Sequence, residues 1–245
     1  MFELPLFPLN TVLFPGMPLR LHVFEERYVM MLQKVMRTNH TFGVTLIKSG
    51  VEALGPLPSP YPVGCTARVL QVEQVESGAY QVTAVGDERF RILRMGVSEP
   101  YLSAYVESLP LDAHHTIDVV RGVHHLRRLV DRYLEMLTGA MDTAAREAAA
   151  AAGIDGEESE PEYGYNLDFQ MDLRSLQLPD DPMMLLYLSG ALLQLPPSEK
   201  QPLLETDTAA LLLKNLSKLY RRELAIQPGL LSVSEQEARQ KAWWN

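Results

Sequence analysis

The stretch Leu4-Pro5-Leu6-Phe7-Pro8-Leu9-Asn10-Thr11-Val12-Leu13-Phe14-Pro15-Gly16-Met17-Pro18-Leu19 is apolar and punctuated by proline. Each proline fixes φ and lacks a backbone donor, so neither a regular helix nor a central strand is expected to run through it. The segment is nonetheless too apolar for a solvated linker. It predicts short extended pieces turning round the rim of a β-structure, with Phe7, Val12, Leu13 and Phe14 inserted as wedges. Phe14-Pro15-Gly16-Met17 supplies the turn, proline presetting φ and glycine free to take φ > 0.

Outward from this stretch the pattern is of strands round one helix. Leu19–Val23 alternates apolar and polar residues, as a half-buried strand does. From about Glu25 to Arg37, Tyr28, Met31, Leu32 and Val35 form one apolar stripe, with acidic residues in the first turn and basic ones near the end. Asn39 and His40 close that helix. Phe42–Ile47 is rich in β-branched residues and predicts a strand. Residues 49–62 carry Gly50, Gly55, Pro56, Pro58, Pro60 and Pro62, a surface loop. Two long strands follow, Val63–Val75 and Tyr80–Leu93, joined by the short hairpin connection Glu76-Ser77-Gly78-Ala79. Gly86 predicts a bulge that lets the sheet curl. Tyr101–Val106 is the last strand.

These motifs carry a resemblance. The opening P-L-F-P-L-N-x-V-L-F-P-G-M-P-L is followed by Phe24-Glu25-x-Arg27-Tyr28, Val63-Gly64-Cys65-Thr66-Ala67 and Gly86-x-x-Arg89-Phe90-x-Ile92. With Asp180-Asp181-Pro182 and the last helices, the chain resembles the amino-terminal substrate-recognition domain of the Lon protease family over most of residues 1–226. The resemblance implies an α+β fold: a curled, partly open, PUA-like β-barrel lobe with one inserted helix, then an α-helical bundle lobe. It also implies a recognition module that lacks the ATPase and protease modules of the full enzyme.

Past Pro110 the period changes. Val119, Val123, Leu126, Val130, Tyr133 and Leu137 step by four and three, predicting a helix from about His115 to Leu137 that Gly139 ends. Asp180-Asp181-Pro182 is a capped start with proline at the first helical position. Ser198-x-x-Gln201 reads as a capping box, Thr206 or Asp207 as the cap of the last long helix, and Pro228-Gly229 as its stop. The expected organisation is a β-rich lobe at 1–109, a helical lobe at 110–226 and a tail at 227–245. An acidic, Ala-rich insertion at about 140–162 is expected to be mobile. Ser234-x-x-Glu237 starts a further helical stretch reaching Trp243-Trp244, which either packs back on the bundle or docks a partner.

The totals narrow the function. The net charge of −9 argues against a broad phosphate-binding face, so no nucleic acid is expected. Arg89, Arg91 and Arg94 read as a solvated strand edge balanced by Asp87 and Glu88. No apolar run reaches membrane-spanning length, and Pro5 and Pro8 break the only candidate leader, so neither membrane nor signal peptide is expected. The single cysteine, Cys65, excludes an intrachain disulfide and fits the reducing cytoplasm.

No chemistry-bearing constellation emerges. The G-x-x-x-x-G-K-[ST] phosphate loop and the G-x-S-x-G elbow are absent, so no catalytic residue and no cofactor is assigned and the chain is not read as an enzyme. His114-His115 and His124-His125 lie ten residues apart, about 15 Å of helical rise, too far to share one metal. No metal is assigned. The expected partner is an unfolded or partly folded polypeptide, or a partner protein, and the oligomeric state is open. A PUA-like RNA-binding accessory or small enzyme stays open as an alternative, as does a structural docking subunit. Candidate peptide-binding residues are Phe14, Met17, Phe24, Glu26 and Arg27, an apolar ledge beside mixed charges where the first helix begins. The crevice between the lobes is the second candidate.

Overall fold

In the computed structural model of the chain, residues 1–75, 78–96, 100–112, 117–151, 173 and 176–242 are described. The strands are β1 (Phe2–Leu9), β2 (Pro18–Val23), β3 (Thr41–Ser49), β4 (Ser59–Pro60), β5 (Val63–Gln74), β6 (Tyr80–Met95) and β7 (Leu102–Ser108). The helices are α1 (Glu26–Met36), then α2 (Ile117–Ala151), α3 (Pro182–Leu192), α4 (Pro197–Leu204) and α5 (Ala209–Ala242). Residues Glu76 and Ser77, His114-His115, part of the expected insertion and Trp243-Trp244 lie outside the described residues.

The proline-rich opening is a strand after all, and its pairing explains why. β1 pairs antiparallel with β7 from Phe2 to Leu6, then parallel with β3 from Leu6 to Leu9. Pro5 falls in the first half and Pro8 in the second, so each lies where the strand has one partner. A missing N–H on the unpaired side costs no ladder bond. The exchange of partners also closes the sheet: β1–β7–β6–β5–β3 returns to β1, with β2 added along the first part of β6. The curled mixed α/β architecture expected from the sequence is thus present, the pairings among these seven strands being antiparallel except β1–β3.

Alternation along β1 feeds two clusters. Leu4 and Leu6 pack with Phe90, Ala104 and Val106, and the close approach is possible because Gly43 opposite has no side chain. Phe7 and Leu9 point the other way into the main core, where Phe7 stacks on Tyr28 of α1 at 4.1 Å between ring centroids. That core continues without a break from the strands through α1 into α2, α3, α4 and α5.

The turn after β1 is built as its sequence dictates. The Met17 N–H donates to the Phe14 carbonyl at 3.0 Å and Gly16 takes φ 79°. The turn then docks on Gly86: Gly16 N–H donates to the Gly86 carbonyl at 2.8 Å, and Gly86 N–H to that of Met17 at 2.9 Å. A Cβ on Gly86 would lie 2.2 Å from the Phe14 carbonyl oxygen, so only glycine fits. The expected bulge follows directly, the β5–β6 register shifting between Cys65 and Ala67, opposite Gly86–Arg89.

Among the helices, Asp181 caps α3 as expected, accepting from Met184 N–H at 2.8 Å, with Pro182 at the first position. Other boundaries differ. Gly139 does not end α2, because glycine costs a helix only about 1 kcal/mol and the alanine-rich run beyond it favours helix. The capping box at Ser198 and Gln201 does not form. The cap is Pro196, two residues earlier, so the helix starts at Pro197, and Gln201 is buried, donating to the Val63 carbonyl at 3.0 Å. Thr208 rather than Thr206 or Asp207 accepts from the first turn of α5, at Leu211 N–H. Pro228-Gly229 does not stop α5, whose helix-favouring run Glu235–Ala242 extends the element. No helix among the described residues is long and apolar enough to cross a membrane.

Candidate functional site

The five candidate residues separate into two groups. Phe14 is fully buried and Met17 nearly so. The turn that carries them is bonded to Gly86, which directs Phe14 inward until its ring lies against Gly190 of α3; a Cβ there would meet the ring at 2.8 Å. These two side chains hold the sheet to the helices and present no surface to a ligand. The same contact fills the expected inter-lobe crevice at this point, and Gly16 closes on the Met184 side chain beside it.

Phe24, Glu26 and Arg27 stay together at the start of α1. Phe24 is half-buried, its ring 6.0 Å from that of His22 at the end of β2. Glu26 is exposed in the first helical turn, where its charge complements the helix dipole. Arg27 has a structural task. It donates to the Gly55 carbonyl at 2.8 Å, pairs with Glu25 at 2.7 Å, and its guanidinium carbon lies 4.9 Å from the centre of the Tyr28 ring. Glu25 in turn accepts from Leu54 N–H at 3.4 Å.

These contacts fasten the β3–β4 loop to α1, and no local residue pattern marks them. Asn10 adds a third tie, donating to Glu52 at 2.6 Å, and burial raises the Glu52 carboxyl pKa. The loop is held with Leu54 at φ 57°, unusual for a branched-chain residue, and with that side chain 77% exposed. Val51 is also exposed, so the tied loop shows an apolar tip beside Arg27.

A groove of about 210 Å³ lies farther along α1, lined by Leu32, Gln33 and Met36 of the helix, by Arg37 at its C-cap, and by Val72 and Tyr80 of β5 and β6. Met36 is 36% exposed, and Met30, six residues earlier on another face of the helix, is 48% exposed. Sequence reading misses this groove because its wall comes from strands about 40 residues downstream, beyond the reach of helical periodicity. Unbranched, polarizable methionines suit a surface that must accept side chains of varied shape. Of the expected histidine pairs, His125 sits 2.9 Å from Arg221 on α5, and no three metal-binding side chains converge among the described residues.

Residues 3–222 match the family model of the ATP-dependent protease La (LON) substrate-binding domain. The chain belongs to that family. Lon protease 1 of Bdellovibrio bacteriovorus is 28% identical over 137 residues, which are 55% of this LON domain chain and 17% of that protein. Lon protease 1 of Hydrogenovibrio crunogenus is 24% identical over 215 residues, 88% of the chain and 23% of that protein. The chain therefore spans less than a quarter of the length of these relatives. In structure it is similar to a Lon N-terminal domain protein from Xanthomonas campestris, with TM-score 0.58, 23% identity, and 89% and 98% of the two chains covered. The N-terminal domain of Mycobacterium avium complex Lon protease gives TM-score 0.58 at 19% identity, covering 90% of this chain and 98% of that one. Both share the fold.

The motifs that carry the likeness act in this LON domain as joints between sheet and helices. Arg89 is the clearest case, and it corrects the expected solvated edge. It is only 2% exposed and donates to the carbonyls of Leu204 at 2.7 Å and Thr206 at 2.6 Å. Its charge thus meets the negative end of α4. Arg91 and Arg94 remain toward solvent. Cys65, opposite Arg89 on β5, is fully buried, and burial drives its thiol pKa far above the ordinary value.

Proposed function

We propose that this LON domain is a non-catalytic polypeptide-recognition module that captures unfolded or partly folded chains on the outer surface around α1. The carrying observation is the match of residues 3–222 to a substrate-binding domain. Three surface features support this location: the α1 groove with its exposed Met36, the ledge at Phe24 and Glu26, and the apolar loop tip at Leu54. In this reading the β-rich part, 1–109, carries the binding surface and the helical part, 110–226, braces it from behind. An apolar groove with few polar anchors favours weak, sequence-tolerant capture, as a recognition step before unfolding or transfer requires.

The test is fluorescence anisotropy with a labelled, permanently unfolded polypeptide. The parent chain binds it, and Met36→Glu weakens binding about fivefold, the effect of losing roughly 1 kcal/mol of apolar contact, with circular dichroism unchanged. A parent chain that ignores unfolded polypeptide at every concentration sinks the reading. Equal binding by the Met36→Glu variant removes the groove from it.

A further inference from the structure

The open side of β2 offers a second mode of contact with a polypeptide, through its backbone. Among the described residues β2 pairs with β6 alone, in unbroken antiparallel register from Pro18↔Val85 to Val23↔Tyr80. Gly86 takes one bond from each of two residues, accepting from Gly16 N–H and donating to the Met17 carbonyl, so the Met17 carbonyl faces β6 where the ladder begins. Antiparallel pairs alternate, so Leu19, Leu21 and Val23 turn their amides toward β6. The intervening residues turn theirs outward: the N–H and C=O of Arg20 and His22, and the C=O of Pro18. Pro18 has no N–H to leave unpaired on that side.

The side chains of the same residues select what lies there. Arg20 and His22 are exposed, while Leu19, Leu21 and Val23 are buried. Across the ladder Arg20 faces Thr83 and His22 faces Gln81, so neither meets a carboxylate on β6. Arg20 thus gives this edge a cation, with His22 two residues on, in a chain of net charge −9. Edge strands commonly carry such charges as a guard against uncontrolled pairing, and a six-residue edge with proline at its start is a short template. The same features favour a brief, reversible pairing over a permanent one.

We propose that β2 receives an extended polypeptide segment by strand addition, and that the segment it prefers carries acidic side chains opposite Arg20 and His22. This deepens the polypeptide-recognition reading and rests on it. Main-chain pairing reads no sequence, whereas alternate side chains and charge supply the selectivity. Phe24, which follows β2 and packs near His22, stands at the end of the added strand. The half-buried aromatic at the α1 ledge thereby becomes the terminus of one continuous binding track.

The test separates backbone pairing from side-chain capture. The probes are a ten-residue peptide alternating valine and glutamate, two copies of it N-methylated at alternate amides in opposite phases, and a version with lysine for glutamate. Binding is read by anisotropy, and the amides of Arg20 and His22 by hydrogen exchange. The proposal expects the unmethylated peptide to bind, one methylated phase to bind at least tenfold more weakly, and the other phase to bind as the parent does. It also expects the lysine version to bind more weakly and the Arg20 and His22 amides to exchange more slowly in the complex. Arg20→Pro, which deletes an outward donor and no bond to β6, should weaken the peptide in the same way; if that variant does not fold, the methylated pair decides. Equal binding of both methylated phases overturns strand addition and leaves the recognition reading intact if unfolded polypeptide still binds. A chain that buries this edge against a second copy, seen as a dimer with protected Arg20 and His22 amides and no peptide binding, overturns it as well.

Discussion

The guanidinium of Arg89 on β6 donates to the carbonyl oxygen of Leu204 across 2.7 Å, joining the sheet to the last turn of α4 over 115 residues of sequence. The same nitrogen also donates to Thr206. No carboxylate pairs with Arg89 among the described salt bridges; its partners are the two carbonyls, with Tyr187 nearby at 5.8 Å from ring centre to guanidinium carbon. Removing the side chain strands those carbonyls in the interior.

Arg89→Met is therefore expected to lower unfolding free energy by about 2–3 kcal/mol, since buried acceptors lose charged donors. Arg89→Lys recovers only part of this, because a compact ammonium is more strongly hydrated than a guanidinium and costs more to bury. Urea denaturation of the two variants measures both. Parent-like stability in Arg89→Met would show that the carbonyls find other partners.

A second expectation contrasts two glycines. Gly86→Ala places a methyl 2.2 Å from the Phe14 carbonyl oxygen, and the turn above it must move. A loss of about 2–3 kcal/mol follows from forced overpacking. Gly139 has nothing within 4 Å of its would-be Cβ and lies inside α2. Gly139→Ala should raise stability by about 0.5–1 kcal/mol. Thermal unfolding of the pair checks sign as well as size: an unharmed Gly86→Ala removes the close-docking account of the turn.

Much of this fold was legible in the residues, because local patterns with one physical cause survive packing. The α1 stripe at Tyr28, Met31, Leu32 and Val35 is buried as its spacing requires, and the Asp181 cap and Gly16 turn form where their chemistry places them. Features set by distant partners were not legible. Pro5 and Pro8 sit in a strand because β1 changes neighbours midway. Arg89 looks like a surface residue until α4 supplies two carbonyls. Phe14 and Met17 look like a ledge until Gly86 draws their turn inward. The groove and the Arg27 clamp likewise depend on residues 28 or more positions away.

Stability should vary with pH in a defined order. Burial pulls the Lys200 ammonium from 10.5 down to about 8, so the unfolded chain holds that proton more tightly. Stability therefore rises with pH from about 8 upward through this residue. Burial acts oppositely on Cys65, whose thiol ionises near 9.0 only when unfolded, so stability is lost as pH passes that value. Tyr28, pushed up to about 12 by burial, adds a further loss from 10.0 upward. Urea midpoints between pH 7 and 11 should thus climb, then turn over. Lys200→Met should flatten the climb, and Cys65→Ala should delay the fall; a climb unchanged in Lys200→Met refutes the assignment.

The last expectation concerns Arg27, whose neighbours make it a fastener as well as a surface charge. It joins the amino end of α1 to Gly55 while Glu25 holds Leu54, and the Arg27 and Glu25 side chains are only 14% and 10% exposed. Arg27→Ala breaks a charge-assisted bond to a carbonyl and removes the ion pair to Glu25, which should cost about 1–2 kcal/mol. The consequence nearest the break is release of the loop, so limited proteolysis by chymotrypsin should cut earlier beside Leu54. Glu26→Ala, at an exposed position in the same helical turn, should stay within about 0.5 kcal/mol of the parent with the loop equally resistant. Binding of unfolded polypeptide then sorts the ledge from the clamp. A loss in Phe24→Ala and Glu26→Ala with the loop intact assigns contact to the ledge. A loss confined to Arg27→Ala assigns it to the loop tip that Arg27 holds in place. If Arg27→Ala leaves both stability and the cleavage rate at Leu54 unchanged, the loop is held by Asn10 and Glu52 instead, and the clamp is not where the geometry puts it.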